Sequence, residues 1–562
     1  MSDGRTGRLL LIVAVVAVAV AARLTTLHWT PLPSTLDGFG YVALARDTLE
    51  TGAFPFTRFR ADNIVFTAVL TAVGALTGER PLYIAQPVVA VTGGASCLTA
   101  MALVKRLAQS SHWPHSRTSL AMGVVGMGLA VEGIYLRRTG QTDEEALAFL
   151  LLPLFAIAVH RLLTAERYRR RWGVVAAFLF IAFPLLHTFS SLIAALVLTG
   201  LLATHLARIP SRRDTVGAVA LVAGFWVYMW GYYRFAEQSQ LVVPYVDRIS
   251  AYPGLFLAWV VVLVTLLIWF QRTSARLQQA TVGGAVGLWF LTLGANALQT
   301  VFPGTQTTPA GLLVLVAAFA VPVLFAVVGL PRASRDRRLI GPVVLTLLLA
   351  PIVVVYFSLT ASLTPEYYGT ALRGQTFVHL PVFVLAGIGV ASVAYRHSPS
   401  PDGGLRTPGM QSRRLAAVLT AVIVVAAIVT MPIAFVNLDT LAFPTGATES
   451  QFAAATFTAD HVDEQWASDH PFSRIVALYY PSATNGTYQP TARWLGGGAE
   501  PNCPTLSRGS WATTGAHLFP AASEKTTPAA LAEWRYEHDV VYDTRSLDSV
   551  YLVRPDSNAS NC

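Results

Sequence analysis

Two polar stretches gather carboxylates in an otherwise greasy chain of 562 residues. The first runs Leu36-Asp37-Gly-Phe-Gly-Tyr41-Val-Ala-Leu-Ala-Arg46-Asp47-Thr-Leu-Glu50. After its glycines it reads as an amphipathic helix. Val42, Leu44, Ala45 and Leu49 form an apolar face, and Arg46, Asp47 and Glu50 a wet one. Asp37 stands where an N-cap would, with Tyr41 four residues on. It therefore has two readings: a helix cap, or a carboxylate free to act as a base. The second stretch is Arg137-Arg138-Thr-Gly-Gln-Thr142-Asp143-Glu144-Glu145. The Thr142-x-x-Glu145 spacing is that of a capping box before an apolar run. The paired arginines beside acids would also suit the phosphate of a lipid.

Further single residues deserve weighing. His187 lies between two apolar runs with almost no loop and has a structural or a positioning reading. Arg373, within Thr364-Pro-Glu366-Tyr367-Tyr368-Gly-Thr-Ala-Leu-Arg373-Gly-Gln375, stands at the mouth of an apolar run. It is either an interfacial arginine that snorkels to water or a clamp on an anion. Glu132 sits inside an apolar segment, where a charge is costly in lipid, so it should face inward. There is no His-x-x-x-His, no Gly-x-Ser-x-Gly, no phosphate-binding loop and no dinucleotide fingerprint.

The elements that must position these residues are membrane spans. Hydrophobic residues make up 54% of the chain and charged ones 13%, with mean hydropathy +0.52. Soluble domains carry about 25% charged residues, so a single soluble domain, disorder and a nucleic-acid-binding module are excluded despite a net charge of +9. Runs of spanning length, about 17–25 residues, occur near 9–25, 82–104, 119–135, 146–163, 173–187, 188–206, 215–233, 254–270, 281–298, 309–329, 339–359, 376–394 and 416–436. These are thirteen expected spans. The run Ile64–Leu76 is apolar but short.

Charge decides how to count that short run. With thirteen spans and a cytoplasmic N-terminus, the inner segments hold 22 basic residues against five acids, as the positive-inside rule requires. A crossing at Ile64–Leu76 would turn every later arginine cluster outward. It is therefore placed in the first outer loop, residues 26–81, as a re-entrant or surface helix. From residue 437 the chain becomes polar, with fourteen acids and seven bases, and has no span. Arg474–Tyr480, Val540–Tyr542 and Ser549–Val553 read as strands, giving a small α/β or mostly-β domain over 437–562. The same topology puts it outside the cell. Asn485-Gly-Thr487 and Asn558-Ala-Ser560 are glycosylation sequons compatible with that side, and Cys503 and Cys562 could pair there.

The order of these features resembles the GT-C fold, the multi-span glycosyltransferases that use polyprenyl-phosphate sugars. Its members place an essential acid in the first outer loop, followed by a Tyr and a short Ala-rich helix, here Asp37-Gly-Phe-Gly-Tyr41-Val-Ala-Leu-Ala. They place a second acidic site in the next outer loop, here Asp143. A late outer loop delivers an Arg, here Arg373, ahead of a span containing Pro381, Gly387 and Gly389. The resemblance covers residues 1–436. The Trp-Trp-Asp signature of oligosaccharyltransferases is absent. The chain is thus similar to dolichyl-phosphate-mannose-dependent mannosyltransferases, among them archaeal enzymes that act on surface-layer N-glycans. The resemblance implies a cell-membrane enzyme with a polyprenyl-phosphate sugar donor, a glycan acceptor on protein or lipid, and no nucleic-acid partner. It implies Asp37 as the catalytic base and Arg373 with Arg138 on the donor phosphate. Tyr41, Asp143, Glu144 and His187 would position substrate. No metal ligand is assigned: the first-loop site is a single Asp rather than a paired acidic motif, which counts against a divalent metal without excluding one. A lipid-sugar flippase or transporter, an oligosaccharyltransferase-like enzyme and an inactive scaffold are the alternatives.

Overall fold

The computed structural model describes residues 3–165, 167–208, 211–301, 307, 310–336, 340–395, 410–436, 446–518, 523–546, 548–555 and 562. Several positions used in the charge reading (Glu166, Arg337, Arg338, Arg396, Asp402 and Arg406) lie outside the described residues, as do the sequon Asn558-Ala-Ser560 and the expected domain boundary at 437.

The first half of the chain contains α1 (Asp3–Leu24), α2 (Leu36–Thr51), α3 (Ile64–Thr77), α4 (Pro81–Ser110), α5 (His115–Val131), α6 (Gly133–Gly140), α7 (Glu145–Thr164), α8 (Arg169–Leu186), α9 (Thr188–Leu206), α10 (Arg212–Gln238) and α11 (Val246–Ser250). There follow α12 (Pro253–Phe270), α13 (Ala275–Leu298), α14 (Ala310–Ala317), α15 (Ala320–Arg335), α16 (Gly341–Ala361), α17 (Pro365–Ala394) and α18 (Met410–Thr430).

Among the described residues, eleven helical runs are long and apolar enough to cross a bilayer. A twelfth forms if α5 and α6, bent by 65° at Glu132, count as one span. The remaining expected span corresponds to α8, which falls short because its eighteen residues begin with Arg169-Arg170-Arg171. The short run at 64–76 is α3, an apolar helix of fourteen residues. α17 is central: 94% of its most apolar window is buried, against 17% for α10. The close crossing of α15 and α17 requires glycine on both sides. A Cβ on Gly389 would lie 2.0 Å from the Phe325 carbonyl oxygen, and one on Gly329 2.0 Å from that of Leu385.

Neither expected helix cap forms. Thr35, not Asp37, caps α2: its hydroxyl accepts from the Gly38 amide at 3.2 Å and donates to the Thr142 carbonyl at 2.8 Å. Asp37 lies in the first turn, where a negative charge faces the positive end of the helix. At α7 the Thr142 hydroxyl leaves the helix start altogether. It donates to Gln86 of α4 at 2.9 Å and accepts from the Ser34 amide at 3.1 Å. These bonds tie the two acidic stretches together. Buried Arg23 of α1 adds to them, reaching the Thr139 hydroxyl at 2.6 Å.

The C-terminal region carries α19 (Glu449–His461), β1 (Trp466–Ser468), α20 (His470–Tyr479), β2 (Gly486–Thr487), α21 (Gln489–Leu495), β3 (Thr505–Arg508), α22 (Pro528–Glu537), β4 (Asp539–Asp543) and β5 (Val550–Arg554). The sheet order is β2-β1-β3-β5-β4. β1 is parallel to β2 and β3, and β5 is antiparallel to β3 and β4. The strands expected at 540–542 and 549–553 are present. The run Arg474–Tyr480 is instead helical. Its buried residues Phe472, Ile475, Val476 and Tyr479 repeat at three and four, which is helix spacing. Cys503 and Cys562 form a disulfide, and Asn485 of the first sequon is exposed.

Candidate functional site

The two acidic stretches, the turn at His187 and the start of α17 meet at one end of the helical bundle. Glu145, only 1% exposed, lies at the centre. It takes Arg373 at 3.1 Å, Arg138 at 3.6 Å and His187 Nε2 at 3.7 Å. Asp143 Oδ1 accepts the Glu145 amide at 3.2 Å. Asp62, fully buried, pairs with Arg60 Nε at 3.2 Å and accepts the Thr188 hydroxyl at 2.8 Å. Arg60 also faces Glu144 at 3.8 Å. Arg138, Asp143, Glu144, His187 and Arg373 are thus gathered into one cluster.

Asp37 and Tyr41 stand beside this cluster rather than in it. They line a cavity of about 360 Å³ together with Arg58, Arg60 and Asn63 on one side and Arg474, Ala477, Leu478 and Pro481 on the other. Arg60 lines this cavity and also pairs into the cluster. Arg474 of α20 holds the Asp37 carboxylate, with its Nε at 3.2 Å, and Asp37 keeps 35% exposure. Arg46 anchors the same seam: its guanidinium lies 4.4 Å from the Tyr479 ring centre. The cavity is therefore built two thirds from the membrane module and one third from the C-terminal region.

Burial and neighbouring charge divide the adjacent carboxylates. Burial first, and then the charge of Asp143, push Glu144 well above the carboxylate range. Burial would raise Asp143 too. A hydrogen bond from Glu144 and the charges of Arg373, His187 and Arg138 override it and hold Asp143 below its ordinary value. Of the pair, Glu144 is therefore the one whose protonated form is favoured. Burial, with Glu144 and Asp143 nearby, raises Tyr41 well above a free phenol, which favours a hydroxyl that keeps its proton. Burial lowers His187, which is neutral; its Nδ1 lies 2.7 Å from the Ser190 hydroxyl.

Asp62, Glu144 and His187 offer ligand atoms within 4.8 Å of one another, all buried. Glu144 Oε2 has no hydrogen-bond partner, and Asp62 Oδ1 meets the Arg60 guanidinium at 3.2 Å. Two carboxylates and an imidazole are a donor set that suits a divalent cation. Asp62 belongs to the first loop, so that loop brings a second acid to the site besides Asp37. The sequence reading missed Asp62, Arg60 and Arg474. None sits in a motif, and Arg474 reaches Asp37 across 437 residues.

A groove of about 230 Å³ begins at Thr188, next to the cluster, and runs between α9, α10 and α12. Phe189, Leu192, Trp226, Met229 and Phe256 line it. Tyr245 stands at its entrance, with Arg373 5.3 Å from its ring centre.

No family model matches the sequence, and no curated protein matches it. In fold, the chain is similar to the oligosaccharyltransferase of Archaeoglobus fulgidus in its apo form, with TM-score 0.52 and 12% identity over 85% of this chain and 64% of that chain. It is similar also to the same enzyme tethered to an acceptor peptide containing the NVT sequon, with TM-score 0.50 and 12% identity over 86% and 64%. The chain spans a little under two thirds of that enzyme's length. The likeness establishes a GT-C-like fold, a multi-span helical bundle with a smaller C-terminal domain.

Proposed function

We propose that the chain is a membrane glycosyltransferase that moves one sugar, mannose, from dolichyl or another polyprenyl phosphate to a glycan hydroxyl. The step would fall late in protein N-glycosylation, on the outer face of the cell membrane. The inner excess of arginine and the acidic tail support a cytoplasmic N-terminus and an external C-terminal domain. One observation carries the reading. A half-exposed carboxylate, Asp37, faces a cavity that shares Arg60 with the cluster of acids and arginines, and an apolar groove starts at Thr188, whose hydroxyl bonds Asp62 of that cluster.

In this reading the prenyl tail lies in the groove between α9, α10 and α12, where each buried CH₂ contributes about 0.8 kcal/mol. Arg373 and Arg138 face the phosphate. The acceptor oxygen attacks the anomeric carbon while its proton passes to Asp37. The bond from that carbon to the phosphate oxygen breaks, and its electron pair leaves with the phosphate. That leaving group is already a stable anion, so one carboxylate suffices for an inverting displacement. The guanidiniums stabilise charge as it develops on the departing oxygen. Tyr41, Asp143, Glu144 and His187 orient the sugar and acceptor. A divalent cation held by Asp62, Glu144 and His187 would supply further positive charge. The cavity wall formed by Arg474, Ala477 and Leu478 puts the C-terminal domain against the acceptor.

The fold shared with an oligosaccharyltransferase favours one second reading, transfer of a whole oligosaccharide to an Asn-x-Ser/Thr peptide. Detergent-solubilised protein given labelled polyprenyl-phosphate-mannose and a glycan acceptor should transfer mannose. Transfer only from a lipid-linked oligosaccharide to the peptide would establish the second reading. Movement of label only across sealed vesicles would replace both with a flippase.

A further inference from the structure

A second buried ionisable pair lies away from the site, within the bundle. Glu132 breaks the helix between α5 and α6. Its oxygens accept the amides of Ile134 at 3.2 Å and Tyr135 at 2.8 Å. The Thr430 hydroxyl approaches at 3.4 Å, and His379 Nδ1 of α17 lies at 2.8 Å. Glu132 and His379 are both 0% exposed. Two backbone donors on the carboxylate favour its ionised form, so the Nδ1 proton of His379 points at Glu132. The other ring nitrogen, Nε2, is buried and has no partner.

That nitrogen lines a cavity of about 60 Å³ between α13, α15, α16 and α17. The walls include Val286, Phe290, Val323, Ile352, Val378 and Val382. Two polar neighbours are already engaged. The Trp289 indole donates to Gln375 Oε1 at 2.5 Å, and the Tyr356 hydroxyl donates to the Ala285 carbonyl at 2.7 Å. Val286, Trp289, Phe290, Ile352 and Tyr356 are half-exposed, so the cavity opens sideways between apolar helices. A water there would need two to four polar partners; His379 Nε2 offers one and the Gln375 amide, whose oxygen is already taken by Trp289, a second.

We infer that this cavity is a binding site for a single-chain lipid alcohol, whose hydroxyl bonds His379 Nε2 and whose chain leaves between α13 and α16. A hydroxyl is the group that satisfies Nε2 in either protonation state, because it donates to a bare nitrogen and accepts from a protonated one. The apolar walls take a slim chain and offer a charged headgroup no counter-charge beyond a histidine already paired to Glu132. On α17 the site residue Arg373 lies six positions before His379, about 120° around the helix, so the alcohol would not occupy the groove assigned to the donor tail.

The test is photolabelling of the full chain in nanodiscs with a diazirine-bearing hexadecanol, competed by hexadecanol, farnesol or hexadecane. Label is expected in peptides from 275–298 and 365–394. Either alcohol should compete about tenfold better than the alkane, the worth of one hydrogen bond to a buried group. The stronger competitor of the two identifies a linear or an isoprenoid chain. His379→Asn, whose amide nitrogen replaces Nδ1 toward Glu132, should remove that preference. Val382→Trp, which leaves the pair intact, should fill the cavity and abolish labelling. Equal competition by hexadecane, or undiminished labelling of Val382→Trp, would overturn the inference. Neither readout depends on sugar transfer.

Discussion

Asp37→Asn separates a chemical role from a structural one. The Asp37–Arg474 pair is 35% and 38% exposed, so solvent screens it, and pairs of this kind are worth about 0.2–1 kcal/mol. Asn keeps an oxygen to accept the Arg474 bond, so even part of that is retained. The unfolding midpoint should move by no more than about 2 °C. Loss of a general base, in contrast, slows transfer by about 10²–10⁴, equivalent to about 3–5 kcal/mol of barrier. Glu145→Ala gives the opposite profile. It removes a carboxylate that is 1% exposed and leaves Arg373 and Arg138 facing each other, which costs up to about 3–5 kcal/mol of stability. The assay is single-turnover mannose transfer at saturating donor, paired with thermal unfolding in the same detergent. Asp37→Asn with more than half of wild-type turnover removes the base from the mechanism. A large drop in its unfolding midpoint would make Asp37 structural instead.

Arg373→Ala should raise the donor KM about tenfold or more while leaving the acceptor KM unchanged, and Arg373→Lys should recover part of the loss; an unchanged donor KM would argue against the phosphate contact. Cys503→Ser opens a loop of 59 residues and should destabilise the C-terminal domain by up to about 4 kcal/mol. Hydrogen exchange in peptides from 446–555 reads this, and insensitivity of the wild type to reductant would count against it. Burial lowers His517 to about 3, against about 6.5 when unfolded. Between those values the unfolded chain binds more protons, so this part of the domain's stability is complete above pH 6.5 and declines as pH falls toward 3. Hydrogen exchange against pH should show that decline in the wild type and a flatter profile in His517→Phe.

The spans were legible because apolar length alone selects them. The short run at 64–76 was legible as an apolar helix, α3, of fourteen residues. α8 opens on three arginines, the basic loop that the charge reading puts inside, followed by fifteen further residues. The cluster around Glu145 was legible in its parts. Acids and arginines stranded beside apolar runs must meet one another or leave the membrane's edge. Their partners were not legible, because sequence spacing speaks for a helix cap as readily as for a base. Thr142 illustrates this: it stands at capping-box spacing but spends its hydroxyl on Gln86 and Ser34. Arg474 lay beyond reach for another reason. The run around it contains β-branched and aromatic residues and suggested a strand, whereas the Phe472, Ile475, Val476 and Tyr479 repeat makes it a helix that turns Arg474 toward Asp37.

The cluster's own charge constrains what can approach it. Asp62, Asp143, Glu144 and Glu145 face Arg60, Arg138 and Arg373, with His187 neutral. Fully ionised, the cluster carries one negative charge too many, which repels a phosphodiester and repels a departing phosphate monoester more strongly. Burial and the charge of Asp143 push Glu144 well above the carboxylate range, which favours its protonated, neutral form and a neutral cluster. A divalent cation at Asp62, Glu144 and His187 would displace that proton and leave the cluster one charge positive. Under the proposed chemistry the charge on the phosphate grows as the sugar leaves, so each added positive charge stabilises the transition state more than the bound donor. Under the proposed chemistry the carboxylates of this site would be compatible with an anionic donor because one of them is neutralised, by a proton or by a cation.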